Sequence, residues 1–516
     1  MDARALLGQA FNDFIFNDIP LHLIHLLTMN LVDRIFVRQH FKPVIDNITD
    51  NELKPARVET SLRKMKDKLT ALVKTKVKYA ILSHRWFDVG EPTYQEFVGG
   101  TNVVGSGADK LVMFCQKAKE YGCEFAWSDT CCIDKTSSSE LDESIRSMFR
   151  WYRESYICIA YLGETISLEG LEGDAWFTRG WTLQELLAPS QIKFYKKDWT
   201  PLTSVPNDKE DNPRSIMFPI SRITNISIMD LCYFTPGMWG YSMRERLSWA
   251  SHRKTTRVED MAYCLIGIFD INLTVAYGEG RRAFLRLQQA IIENNDSWEI
   301  FAWEGEPSPY NSAIASGPEC YPKFFIDGKG IIALAWYGDL DTSNKQYSAG
   351  DKLFAMTNHG LRIKVLFRKV WRVERDPEVE TRYTLSMSSL EDIVVDVTVD
   401  VMGMELDLAL SSTYRWGRPC AGLAIGILDY EVGGEVDTSR SYTAFLLHHP
   451  NDKLDLYEKV PTKKVVKVKV DDMAQAMTAQ KLRETRSSER LTEDEAATYM
   501  QGIEELEKEP LEIYIH

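Results

Sequence analysis

Apolar and polar positions change rhythm along the chain, and each change predicts a different kind of element. In LHLIHLLTMNLVDRIFV, Ile24, Leu27, Leu31 and Ile35 recur at the spacing of one helix face, with His22, Asp33 and Arg34 interrupting the run. That spacing predicts an amphipathic helix packed on the main body, inside a helical extension over residues 1–76. RKMKDKLTALVKTKVK follows, with Lys66, Lys68, Lys74 and Lys76 among its basic residues against a single Asp67. It reads as a solvated helix face, a linker or an anion contact.

From Tyr79 the texture becomes short apolar runs alternating with helical patterns: YAILSHRWF, ADKLVMFCQKAKEYG, EFAW, SELDESIRSMFRWYRES, YICIAYLG, WTLQELL and IKFYK. Ser139 is a reasonable N-cap for the middle helix. Strands alternating with helices at this spacing imply right-handed crossovers and a parallel sheet. A continuous apolar run such as YICIAYL suits burial on both faces. In open sheets of this kind, ligands bind beyond the carboxyl ends of the strands. Those ends carry Ser83 to Trp86, Ser128 to Lys135, and the segment leading to Glu185. Residues 200–300 read as mainly helical, with Thr256 and Glu259 spaced as a capping box. Beyond residue 303 the pattern alternates, in GLRIKVLF, DIVVDVTVDV and KKVVKVKVD, and predicts a mainly β domain, a sandwich, over 304–470. A highly charged helix and a last strand, LEIYI, complete a C-terminal region over 304–516.

Length and composition narrow the class. A chain of 516 residues, with 44% apolar residues and 13 tryptophans, is globular and too long for one core. A net charge of −14 argues against nucleic acid as a partner. Nine cysteines without a CxxC pair suit reduced thiols rather than a disulfide framework, which points to the cytoplasm. No run approaches the roughly 20 apolar residues that span a bilayer, and the first residues show no cleavable leader. No His, Cys, Asp and Glu set has metal-ligand spacing, so no metal is expected.

The candidate chemistry gathers at WFTRGWTLQELL, where Trp181 and Glu185 lie four apart on a helix. Glu185 is either a first-turn carboxylate favoured by the helix dipole or a functional acid. Trp181 is either an aromatic wall for a ligand ring or core packing. Arg85 could grip a pyrophosphate in bidentate fashion or pair with Asp129 or Asp134. Asp134 and Lys135 could touch a ribose, whereas Asp129 reads better as a brace. The glycines of GGTNVVGSGADK match no phosphate-binding fingerprint and read as a flexible loop. Glu259, Asp260 and Glu279 read as helix-capping or structural carboxylates.

YAILSHRWF, FAWSDTCCIDK, the helix ending in WYRES, YICIAYLG and WFTRGWTLQELLAP together resemble the HET (heterokaryon incompatibility) domain of fungi. The resemblance continues through RLSWASHRKTTRVEDMAYCLIGIF and YGEGRRAFLRLQQAI, giving a HET domain over residues 77–303. A more distant resemblance is to TIR domains, which have a flavodoxin-like parallel sheet. AILSHRW is similar to the first TIR strand, CCIDK to the segment after the second, and GWTLQELL to the Ser-x-Trp-Cys-Leu-x-Glu-Leu pattern. That pattern's glutamate is essential for splitting NAD in catalytic TIR domains, and it falls on Glu185. Thr182 and Arg179 depart from it, standing where Cys and Ser would be.

The resemblance thus implies an α/β, TIR-like core with helical additions, followed by the mainly β domain. It implies NAD or a related nucleotide as substrate, with no cofactor besides. Glu185 would be catalytic, and Ser83, His84, Arg85, Trp86, Asp134, Lys135, Arg179 and Trp181 would bind substrate. It further implies a homo-oligomer and a protein incompatibility partner in a cell-death pathway. The other readings are a non-catalytic homotypic signalling module and a sensor that holds its nucleotide intact.

Overall fold

The computed structural model describes residues 3–321, apart from 60, 101–103, 211–215, 238–241 and 296, and parts of 354–515. In the latter, 380, 389–393, 403–422, 429–440, 450–455 and 470–510 fall outside the described residues, and the charged helix expected near the end lies there. The chain forms two compact units, one of residues 1–239 and 252–283, the other of 240–251 and 284–516.

The first unit opens with α1 (Ala3–Asp13), and its first two strands are β1 (His22–His25) and β2 (Asn30–Asp33). These two form an antiparallel hairpin where an amphipathic helix was expected. The helical spacing there was coincidental, since Leu27 is 84% exposed and Ile35 56% exposed. Met29, in the left-handed region at φ 57°, closes the turn, and β1 pairs with the edge of a later strand, which would otherwise stay open. Helix starts only at α2 (Arg34–Asp46), capped by Asp33, and continues in α3 (Asp50–Arg57) and α4 (Leu62–Lys76). Three basic side chains of α4 pair with acids: Lys68 with Glu59, Lys74 with Glu154, and Lys76 with Glu52.

Four strands follow as the alternation predicts: β3 (Tyr79–His84), β4 (Phe125–Trp127), β5 (Ile157–Tyr161) and β6 (Ile192–Tyr195). Between them lie α5 (Tyr94–Val98), α6 (Ser106–Glu120), α7 (Ser138–Glu154) and α8 (Thr182–Leu187). The sheet order is β2-β1-β4-β3-β5-β6. The four later strands are parallel and the hairpin is an antiparallel margin. Taken in chain order, the parallel strands run 2-1-3-4, the doubly wound arrangement whose order reverses beside β3. Every residue of these four strands is buried, as the continuous apolar runs require. Ser137, not Ser139, caps α7, accepting from Glu140 N at 3.4 Å.

A helical layer completes the unit with α9 (Met217–Thr224) and α10 (Ile228–Tyr233); α11 (Met243–Ser248) belongs to the second unit. α12 (Asp260–Tyr263) and α13 (Ile266–Phe269) return to the first. The expected capping box at Thr256 and Glu259 does not form. The Glu259 carboxylate accepts instead from the backbone of Gly278 and Gly280, at 2.9 and 3.0 Å. Two glycines serve close packing: a Cβ on Gly107 would lie 2.1 Å from Gly90 O, and one on Gly267 2.1 Å from Phe149 Cβ. The latter holds α13 against α7, so Gly267→Ala is expected to cost about 1–3 kcal/mol of stability. Urea unfolding of this variant checks it.

In the second unit, α14 (Arg282–Asn294) leads to the hairpin β7 (Pro307–Ser308) and β8 (Asn311–Ala315). The remaining strands are β9 (Phe354–Thr357), β10 (Gly360–Arg375), β11 (Arg382–Ser388), β12 (Val394–Asp400), β13 (Leu423–Ile427), β14 (Ser441–His448), β15 (Leu456–Lys459), β16 (Val466–Lys469) and β17 (Leu511–Ile515). Their pairings link into one nine-stranded sheet rather than the two facing sheets of a sandwich. The long β10 explains this. It pairs with β9 and β17 along its first half and with β13 and β11 further on, carrying one hydrogen-bonded path through what would have been separate sheets. Its core includes Tyr383, Leu385, Val397, Ile425, Leu446 and Val468.

Candidate functional site

The parallel strands deliver polar groups at their carboxyl ends, beside the reversal of strand order. Ser83 and His84 are the last residues of β3, in register with Ala160 and Tyr161 of β5, and Tyr152 of α7 fixes that end by donating to Leu82 O at 2.8 Å. Glu185 comes from α8, whose six residues are all buried. Gly180 makes the approach to α8 possible. It donates to Lys254 O at 2.9 Å, and a Cβ there would lie 2.4 Å from the Thr255 methyl. At the far end, Lys209 donates to Leu187 O at 3.1 Å and Pro189 O at 2.7 Å. This cation sits at the negative end of the helix, although burial lowers its pKa to about 7.

Ser83 Oγ donates to Glu185 Oε2 at 2.5 Å and accepts from the Trp176 indole at 2.9 Å. Glu185 is 5% exposed. Burial, reinforced by the charge of Asp129, pushes its pKa up to about 8, against the opposing pull of Ser83, Arg179 and Arg253. Asp129 behaves oppositely. Burial alone would raise it, but the hydrogen bond with His84 and the charges of Lys135 and Arg179 hold it well below the usual carboxylate range. The two carboxyl groups are therefore split: Asp129 is ionised and Glu185 holds its proton at neutral pH.

Asp129 is a brace, as expected. It is 3.0 Å from His84 Nε2 and accepts from the Trp86 indole at 2.9 Å. Burial lowers the His84 pKa, with the Lys110 ammonium adding to it. With its proton on Nε2 toward Asp129, His84 keeps a buried Nδ1 without a partner. Gln184 Nε2 and one terminal nitrogen of Arg253 are likewise buried and unpartnered. Lys135 and Arg179 both lie over the Trp86 ring, at 4.1 and 5.2 Å from its centroid. Trp86 is thus an aromatic ring held by two cations, a geometry in which each attraction is worth about 0.5–2 kcal/mol.

Several residues singled out from the sequence sit elsewhere than at Glu185. Arg85 is exposed and paired with Glu164 at 2.7 Å, and Asp134 is tied to Thr136 and Gln95. Trp181 is half-buried and its indole engages the Asp260 carboxyl, so Trp86, rather than Trp181, is the cation-bearing ring near the acids. Asp260 also accepts from Tyr277 at 2.8 Å. Two site residues were missed. Trp176 lies within the conspicuous WFTRGW run, yet only the folded chain brings its indole to Ser83. Arg253 donates to Arg179 O at 2.8 Å and Thr182 Oγ at 2.9 Å, and no local pattern marks it. Thr182 in turn donates to Trp176 O at 2.5 Å, which ties the start of α8 to the Trp176 turn.

A cleft of about 110 Å³ borders this cluster, lined in part by Arg85, Trp86, Tyr161, Glu164 and Asp174. It has room for a single small ring, whereas drug-sized ligands occupy roughly 300–1,000 Å³.

A doubly wound core with buried acids at its switch point defines the class, and comparison with known proteins adds a likeness over part of the chain. Residues 79–175, less than half of the chain, match the family described as "Heterokaryon incompatibility protein (HET)". The chain is 38% identical over 231 residues to the vegetative incompatibility protein HET-E-1 of Podospora anserina, a match covering 41% of this chain and 16% of that relative. No solved structure matches. Among the described residues, no helix is long and apolar enough to cross a membrane.

Proposed function

We propose that the HET domain is a cell-death effector of vegetative incompatibility that hydrolyses NAD to nicotinamide and ADP-ribose, with Glu185 as the catalytic residue. The observation that carries this reading is the buried Glu185 carboxyl, held by Ser83 at the carboxyl end of β3. Cleaving the nicotinamide–ribose bond passes through an oxocarbenium-like transition state. The leaving group is already a cationic pyridinium, so it departs without a general acid. What the reaction needs is a carboxylate that hydrogen-bonds the ribose hydroxyls and faces the developing positive charge. A cationic substrate supplies the opposite charge that Glu185 lacks in the free protein and favours its ionised form. Trp86, with Lys135 and Arg179 over its ring, is suited to the pyrophosphate and an adjoining ring. Because the bordering cleft takes only one ring, binding the dinucleotide requires the site to open, and assembly of several copies is the proposed trigger.

A second reading, a non-catalytic signalling module, is favoured by the same burial, since a 5% exposed acid is out of reach in this state. Nicotinamide release by the purified full chain, alone and under crowding, decides between them. Release under crowding is expected; intact NAD in every assembly state would sink the enzymatic reading.

A further inference from the structure

On the outer side of α7, in the first unit, lies a groove of about 500 Å³ that no step of the proposed chemistry uses. Its volume falls within the roughly 300–1,000 Å³ of small-molecule sites. Arg146, Arg150 and Arg153 line it together with Phe16, Asn17 and Asn272. The three arginines are spaced i, i+4 and i+7, so they share one helix face over an axial length of about 10 Å.

Their existing contacts leave donors over. Arg146 donates to Asp142 and, at 3.4 Å, to Asn272 Oδ1. Arg153 donates from Nε to Glu154 at 3.2 Å. Arg150 is 3.8 Å from Asp18 and donates to Ser147 at 3.4 Å, while its Nε is buried without a partner. Each guanidinium offers five N–H donors in a fixed fork, and its carboxylate takes only part of them. Two carboxylates line the groove, Glu143 and Asp270, and Glu143 is paired with Arg34 at 3.4 Å. At the same opening Phe16, a large apolar ring, stands 43% exposed.

A row of guanidiniums matches the oxygens of a phosphate chain, an exposed ring matches a planar base, and the asparagine amides can read the edge of such a base. We infer that this groove binds a nucleoside polyphosphate, its phosphate chain along Arg146, Arg150 and Arg153 and its base against Phe16. The site is distinct from the one at Glu185 and shares no residue with it. α7 separates the two, with Gly267 and Phe149 packed on its outer side and Tyr152 bonded to Leu82 O on its inner side.

Isothermal titration of the full chain with ATP, and separately with inorganic tripolyphosphate, tests this. Saturable ATP binding is expected, weakened at least tenfold in the double variant Arg150→Gln, Arg153→Gln and unchanged in Glu185→Gln. Phe16→Ala, at an exposed position, is expected to weaken ATP severalfold and leave tripolyphosphate unaffected, and it carries the test if the arginine variant fails to fold. The inference is overturned if ATP gives no saturable heat, or if Glu185→Gln abolishes binding while the arginine variant keeps it. Equal affinity for tripolyphosphate and ATP overturns the assignment of a nucleoside.

Discussion

Glu185→Gln is expected to lower the rate of nicotinamide release by about a hundredfold to a thousandfold, measured on assembled protein at saturating NAD. That is the usual loss when one preorganised group facing transition-state charge is removed. Gln keeps the volume and an oxygen that accepts from Ser83 Oγ, the contact now 2.5 Å long, so the loss reports charge and not collapse. Because the free protein holds Glu185 protonated up to about pH 8, kcat/KM for the native chain should rise with pH and level off above that value. A variant with native activity, or a profile flat from pH 6 to 9, would remove Glu185 from the reaction.

Much of the core was legible because its strands are buried on both faces, which writes an uninterrupted apolar run such as YICIAYL into the chain. The place of Ser83 and Glu185 followed from the same logic, since polar residues after such runs gather at one sheet edge. The hairpin at His22–Asp33 was not legible. Its residues obey a helical spacing, and what decides against helix is the unpaired margin of β4, a tertiary demand with no local signature. Trp176 and Arg253 were hidden for a related reason. Each acts through a contact about seventy to ninety residues away along the chain, Trp176 on Ser83 and Arg253 on Thr182, and periodicity reports only neighbours within a few turns. The separate fates of Trp181 and Glu185 show the limit of face arguments. Residues four apart do lie side by side, yet one meets Asp260 and the other Ser83, because a fully buried helix has partners on every side.

The same Glu185→Gln substitution is expected to stabilise the fold at alkaline pH. In the unfolded chain this carboxyl titrates near 4.5, and in the folded chain it is pushed up to about 8. Below about 4.5 both states carry the proton and the group is neutral with respect to folding. As pH rises, the unfolded chain releases its proton while the folded chain retains it, so native stability falls, and the fall is complete once pH passes about 8. Each unit of separation corresponds to about 1.4 kcal/mol, which makes the loss of order 2–5 kcal/mol. Gln cannot ionise and escapes it. The difference in unfolding free energy between the variant and the native chain should therefore grow steadily from pH 4.5 to 8 and then stay constant; other titrating groups, present in both, cancel. Paired guanidinium unfolding curves at pH 5 and 8.5 read it directly. A difference that does not change with pH would mean that Glu185 is ionised in the folded protein. Asp129 and Glu185 would then carry charge together, and the rise of kcat/KM toward pH 8 would lose its cause.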